Sequence, residues 1–183
     1  TFSKIQIRKA QITGAKNYNA AFVGRASGSD IRDIAVIESK VVLSGTDCGG
    51  FIGEGKNLNI HHVYSDSDVH VETYTDNQGR TNSAGFIGNL AGKSKVQYVF
   101  AAGTIENKTQ TELYNFLGTP NVLETMVSDA FVRDNAGGKP NITETTGNRL
   151  STVTAEQTKK SEFYRTSMNL NEEIWNLGLV GMK

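Results

Sequence analysis

Phe22-Val23-Gly24, Phe51-Ile52-Gly53, Phe86-Ile87-Gly88 and Phe116-Leu117-Gly118 are four copies of one phrase, spaced 29, 35 and 30 residues apart. A recurring period of this length marks stacked repeats. Each phrase runs into a polar, Gly- or Asn-rich stretch and then a second apolar signature. Those signatures are Ile31-Arg32-Asp33-Ile34-Ala35-Val36, Ile60-His61-His62-Val63-Tyr64-Ser65 and Val96-Gln97-Tyr98-Val99-Phe100-Ala101, with a weaker fourth at Leu123-Glu124-Thr125-Met126-Val127-Ser128. The step from Phe to the leading aliphatic residue is 9, 9, 10 and 7. A third segment alternates apolar and polar residues, as in Val69-His70-Val71-Glu72-Thr73 and, one unit earlier, Ser39-Lys40-Val41-Val42-Leu43. Each unit therefore reads as two or three short β-branched strands divided by Gly, Asn, Asp or Ser turns.

A unit of this size cannot bury its own apolar residues. Stacking neighbours at a strand spacing of about 4.8 Å would bury them in a continuous interior. The expected fold is all-β: a right-handed parallel β-helix, a solenoid of about four coils. Phe22, Phe51, Phe86 and Phe116 should stack inside it, with Gly24, Gly53, Gly88 and Gly118 turning one corner. A sandwich of antiparallel strands explains the alternation but not the repeated phrase. Propeller blades are longer than these units. With 19 glycines and 2 prolines, the composition suits a sheet in which nearly every N–H pairs with a neighbouring rung.

After Met126 the period weakens, and Asn135 to Asn141 reads as a loop. Thr154-Ala155-Glu156-Gln157 is a capping-box pattern that opens a helix near 155–165. A second helical turn is expected from Asn169. The organisation read from this is residues 1–144 as repeats and 145–183 as a small helical cap. In that cap Phe163, Leu170, Ile174 and Trp175 would pack on the terminal coil and hide its open edge.

The formal net charge is zero and no basic run stands out, which argues against a nucleic-acid groove or an anionic membrane surface as partner. No apolar run is long enough to span a membrane. Cys48 is the single cysteine, so an intrachain disulfide and a Cys-based zinc site are excluded. It reads as a small core residue in the slot Ser83 fills one unit later. There is no initiator Met or signal peptide, and Thr1 reads as the start of an excised fragment.

The histidines are His61, His62 and His70. His61 and His62 are neighbours in an expected strand. They should point to opposite faces and be unable to share a tetrahedral zinc. Asp66-Ser67-Asp68 with His70 and Glu72 suggests calcium, but an EF-hand loop would need Gly at Val71 and Glu at Asn77. Asn107-Lys108-Thr109 and Asn141-Ile142-Thr143 read as Asn/Thr-rich turns. Tyr64, Tyr74, Tyr98 and Tyr114 could serve strand packing or recognition. The longest insertion is Tyr74 to Asn82. Its Tyr74, Asp76, Asn77, Gln78 and Arg80 form the candidate contact loop, because insertions in repeats emerge on one face.

Gly49-Gly50-Phe51-Ile52-Gly53 with Ile60-His61-His62-Val63-Tyr64-Ser65 resembles the GLUG repeat of bacterial surface proteins. Ala84-Gly85-Phe86-Ile87-Gly88 with Val96 to Ala101 is a second copy. Phe163-Tyr164 followed by Leu170-Asn171-Glu172-Glu173-Ile174-Trp175 is similar to the ending that follows such repeats in zinc metalloproteases of the immunoglobulin A1 protease family on Gram-positive surfaces. The first unit departs from the repeat with Ala20-Ala21, and the fourth with Asn115 and Pro120. The peptidase signature of that family, His-Glu-x-x-His, is absent from this chain. The resemblance implies a secreted, wall-associated virulence protein whose zinc lies in another domain. This fragment would then be a monomeric, non-catalytic module with no cofactor, no catalytic residue and no metal ligand. Its partners would be other domains of the parent protease or host immunoglobulin A1. The competing expectations are a stalk or binding domain of a surface adhesin and a free-standing carbohydrate-active β-helix enzyme. The enzyme would want acidic pairs locked to the repeat, and none is present.

Overall fold

The computed structural model describes residues 1–72, 82–107, 113–118, 124–139, 142, 148–178 and 181–182. The chain is all-β with parallel sheets. In order the strands are β1 (Phe2–Arg8), β2 (Gln11–Gly14), β3 (Val23–Ser27), β4 (Asp30–Leu43), β5 (Ile52–Lys56), β6 (Asn59–Val71), β7 (Ile87–Ala91), β8 (Lys95–Ala101), β9 (Ile105–Asn107), β10 (Met126–Arg133) and β11 (Leu150–Val153). A short helix α1 (Ala155–Thr158), a π-helical turn (Phe163–Ser167) and the pair β12 (Trp175–Asn176) and β13 (Gly181–Met182) complete the chain.

The larger sheet runs β1-β4-β6-β8-β10-β11, with β2 beside the far half of β4 and β9 beside the far half of β6. A second sheet runs β3-β5-β7. Every pairing in both is parallel, and among the described residues only β12–β13 is antiparallel. That rules out the antiparallel sandwich. A third line of contact, Ala20 to Gly49 to Ala84 to Tyr114 to Lys139, joins the units as single parallel bridges.

Register explains the repeat. Phe2 lies beside Ile31, Ile31 beside Ile60, Ile60 beside Val96, and Val96 beside Val127. The leading aliphatic residue of the fourth unit is thus Val127, four places beyond the expected Leu123. Phe2-Ser3-Lys4-Ile5 is a further copy ahead of the first. The long ladder holds six strands where four phrases led to an expectation of about four coils. It continues through β11 to Val153.

The phenylalanines stack as expected. Ring centroids lie 4.9 Å apart for Phe22 and Phe51, 5.1 Å for Phe51 and Phe86, and 5.1 Å for Phe86 and Phe116, all close to parallel. Phe51, Phe86 and Phe116 are fully buried with the Ile and Val ladders of both sheets.

The corners are built differently from the expectation. Gly24, Gly53, Gly88 and Gly118 are not left-handed. A Cβ on Gly53 would sit 2.5 Å from the Gly24 carbonyl oxygen and 2.8 Å from Tyr18 Cα. A Cβ on Gly88 would sit 2.5 Å from the Cys48 nitrogen. These glycines are required by the close approach of the previous unit's backbone. Non-glycine residues with positive φ make the bends, stacked in register. One row is Lys4, Asp33, His62, Tyr98 and Asp129; another is Tyr18, Asp47 and Asn82. Asp, Asn and His are among the side chains best tolerated there.

The described part of the C-terminal segment packs on the face of the large sheet. Thr154 does cap α1: its Oγ1 accepts from Gln157 N at 3.2 Å, and its own N–H donates to Gln157 Oε1 at 2.8 Å. The chain then crosses the outer face of the large sheet. Phe163, Tyr164, Met168, Leu170, Trp175 and Leu177 pack on Ala35, Ile37, Tyr64 and Phe100. Trp175 reaches the second strand of the ladder, and β13 lies against β1 and β4. The cause is an outward apolar row, Ala35, Tyr64, Phe100 and Phe131, which needs cover. Among the described residues no helix is long and apolar enough to cross a membrane.

Candidate functional site

A group of titratable and aromatic side chains sits where β6 bends and the C-terminal segment docks. His62 occupies the left-handed bend at φ 55°. A left-handed residue breaks the two-residue alternation of a strand. The two histidines therefore do not point to opposite faces: their ring centroids lie 5.0 Å apart, and Nδ1 of His61 is 3.1 Å from Nδ1 of His62. One proton can serve that contact, so the two rings cannot both be protonated and keep it.

Carboxylates flank the pair. His61 Nε2 lies 3.5 Å from Asp30 Oδ1, and His62 Nδ1 lies 4.0 Å from Asp33 Oδ1. The same Asp33 oxygen accepts a long hydrogen bond from Trp175 Nε1 at 3.5 Å. Tyr98, one rung on, stacks flat against His62 with centroids 5.3 Å apart. His62 Nε2 is buried without a hydrogen-bond partner. Burial, followed by the neighbouring His61, pushes the His62 pKa down; Asp33 pulls the other way.

This arrangement can couple a proton to the docking of Trp175. Among the described residues the contacts of the two imidazoles are with each other, with Asp30 and Asp33 and with the Tyr98 ring. Among the described residues no group of three or more His, Cys, Asp or Glu is placed to hold a metal ion. The Asp66–Glu72 stretch is engaged locally. Asp68 Oδ1 accepts from Thr104 N at 2.9 Å and Thr104 Oγ1 at 2.7 Å, and His70 pairs with Glu106 at 2.9 Å.

A second polar group lies under the C-terminal segment. Tyr64 and Tyr164 meet edge-on at 6.4 Å. Burial pushes the Tyr164 hydroxyl up to about 12 and raises Tyr64 as well. Asp66 is also raised, by burial first, against the opposing pull of Arg133. Arg133 Nε is buried with no hydrogen-bond partner. The sequence reading missed Asp30, Asp33, Arg133 and the return of Trp175 to the histidines. Only the αL-tolerant Asp33 and His62 at one repeat position could have signalled the bend.

No protein-family model, curated protein or solved structure matches this chain.

The other candidate residues are placed as follows. Tyr74, Asp76, Asn77, Gln78 and Arg80 lie outside the described residues. Cys48 is fully buried in the slot above Ser83, and burial raises its pKa, which makes it a poor nucleophile. Tyr114 bridges neighbouring units through its backbone. Two shallow surface hollows are lined by Arg25, Glu54 and Lys56, and by Lys16, Asn17 and Tyr18. Between them Arg25 lies 4.5 Å over the Tyr18 ring and 2.5 Å from Glu54.

Proposed function

We propose that this chain is a non-catalytic docking module, a right-handed parallel β-helix, of a larger secreted zinc metalloprotease resembling the immunoglobulin A1 protease family. The observation that carries the reading is the filled interior. Phe51, Phe86 and Phe116 stack through the middle units, and the aliphatic ladders pack around them. That favours a stiff body offering side faces over an enclosed reaction chamber. Three lines of parallel contact visited in order by each unit support closure into a helix, and the strong preference of parallel crossovers supports the right hand. The residues that carry the family resemblance at the C-terminal end, Phe163, Tyr164, Leu170 and Trp175, are buried against the large sheet. They serve the module's own fold, leaving the polar bends and loops as its contact surface.

The test uses a parent protease containing this chain, intact and with the module excised. Turnover and KM are measured on immunoglobulin A1 and on a short hinge peptide. A docking module raises KM for the whole antibody when removed and leaves the peptide reaction unchanged. Unchanged values for both substrates would refute it. Cleavage of the antibody by the isolated chain would refute the non-catalytic assignment.

A further inference from the structure

The left-handed bend in β6 brings two imidazole nitrogens together. His62, at φ 55°, directly follows His61, and Nδ1 of one ring lies 3.1 Å from Nδ1 of the other. Metal–imidazole bonds are about 2.0–2.1 Å long, so nitrogens this far apart subtend roughly 100° at a shared ion. That is the bite of two neighbouring ligands on one metal. A single proton in the gap is the resting alternative.

The surroundings hold both rings for this role. Asp30 Oδ1 lies 3.5 Å from His61 Nε2 and is itself anchored by Asn59 Nδ2 at 2.7 Å. A carboxylate there keeps the His61 proton on Nε2 and leaves the Nδ1 lone pair toward His62. Metal-bound histidines are oriented by outer-shell carboxylates in the same way. Tyr98 lies flat on the His62 ring, with an interplanar angle of 9°, and fixes its plane. Asp33 Oδ1, 4.0 Å from His62 Nδ1, puts a second negative charge beside the gap. Each histidine keeps 24% of its side-chain surface exposed, which leaves an ion a way in from solvent.

We propose that His61 and His62 chelate one divalent transition ion of the copper(II) or nickel(II) class through their two Nδ1 atoms, with water in the remaining positions. The class follows from the donors. Among the described residues no group of three or more His, Cys, Asp or Glu surrounds an ion position, and zinc sites take three or four protein ligands. Tetragonal copper and nickel accept two nitrogens with oxygens, and copper binds tightest of the series. Calcium and magnesium want an all-oxygen shell. The chelate has a cost, because the His62 proton must move to Nε2, which is buried without a hydrogen-bond partner. It also has a structural effect. The ion would sit beside Asp33, whose Oδ1 accepts from Trp175 Nε1 at 3.5 Å, and so would fasten the bend of β6 to the dock of the C-terminal segment.

Trp175 is the only tryptophan, so its emission reports on this site. The whole chain is titrated with copper(II), nickel(II) and calcium chlorides at neutral pH. Copper should quench the emission, saturate at one ion per chain and raise Tm, while calcium should do none of these. His61→Gln and His62→Asn, the second of which keeps the bend, should each weaken copper binding at least about tenfold, and Asp30→Asn by about tenfold through the outer shell. His70→Gln is the control, since that histidine pairs with Glu106 at 2.9 Å, and it should bind copper as the parent does. Electron paramagnetic resonance of the copper form of the unaltered chain should show coupling to two nitrogens, a readout that stands even where a variant folds poorly. Copper affinity unchanged in both His61→Gln and His62→Asn, an equal loss in His70→Gln, or a resonance spectrum without two nitrogen ligands would overturn the proposal.

Discussion

Replacing Phe86 with Ala removes the ring at the centre of the stack. Phe86 is fully buried and lies 5.1 Å from both Phe51 and Phe116, at interplanar angles of 5° and 18°. Deleting a buried Phe side chain costs about 3–5 kcal/mol, from lost transfer energy and the cavity left behind. Here both neighbouring rings are held by their own ladders, Ile52 beside Ile87 and Ile87 beside Leu117, so little collapse is available and the upper part of that range applies. For a chain of this size, about 4–5 kcal/mol lowers Tm by roughly 8–20 °C. Phe22→Ala is the internal control. That ring is half-buried and has one stacked neighbour, Phe51, at 4.9 Å, the other side meeting only Phe2. Its loss should cost about half as much, since less area returns to water. Chemical denaturation followed by circular dichroism, with both variants and unchanged slopes, measures the difference. Equal costs, or a Phe86→Ala cost below about 1 kcal/mol, would refute the view that the stack is a core ladder with a frayed first rung.

Phe163→Ala should release the C-terminal segment from the large sheet. Its ring meets Phe100 at 5.4 Å and Phe131 at 5.2 Å, and Trp175, the only tryptophan, should shift its emission to the red while the ladder's circular dichroism persists. Stability should fall as pH drops below about 6.5, because folding lowers the His62 pKa and the unfolded chain takes up the proton first. Denaturation at a series of pH values should show that slope, and His62→Asn, which tolerates the left-handed bend, should flatten it. Gly53→Ala should cost about 1–3 kcal/mol by overpacking, because the new methyl meets backbone atoms of Gly24 and Tyr18 that cannot swing aside; a thermal melt matching the parent would show that the corner relaxes.

The repeat itself was readable because its spacing and its Phe residues are one signal. A ring that recurs at a fixed interval beside a glycine has few uses other than a stack. The limits of the repeat were harder. Phe2-Ser3-Lys4-Ile5 belongs to the ladder, but Gln6 and Ile7 follow where later copies have small or aromatic residues, so the match by eye fails. Leu123 displaced Val127 as the fourth leader because the connection from Phe116 is longer, and the fixed quantity is strand register, not loop length. The histidine geometry was misread for a local reason. Alternation along a strand was assumed through His62, whose φ is positive. The C-terminal segment was expected at the end of the stack because end-capping is the common need of repeats. The row Ala35, Tyr64, Phe100 and Phe131 on the outward side was the contrary sign, since a solvent-facing row would be polar.

The position of β13 against β1 has a mechanical consequence. A polypeptide arriving at Thr1 and departing after Met182 would join and leave the stack at the same end. Tension between those two points would bear on the seam of β1, β13 and the Trp175 dock. It would bypass β6, β8 and β10. In any chain joined at both points, such a body would hang beside the main line as a branch and would carry no load along its own axis. Pulled, it should give way first by peeling of the C-terminal segment, strand by strand at low force. The stacked ladders behind would stay intact until that seam was gone.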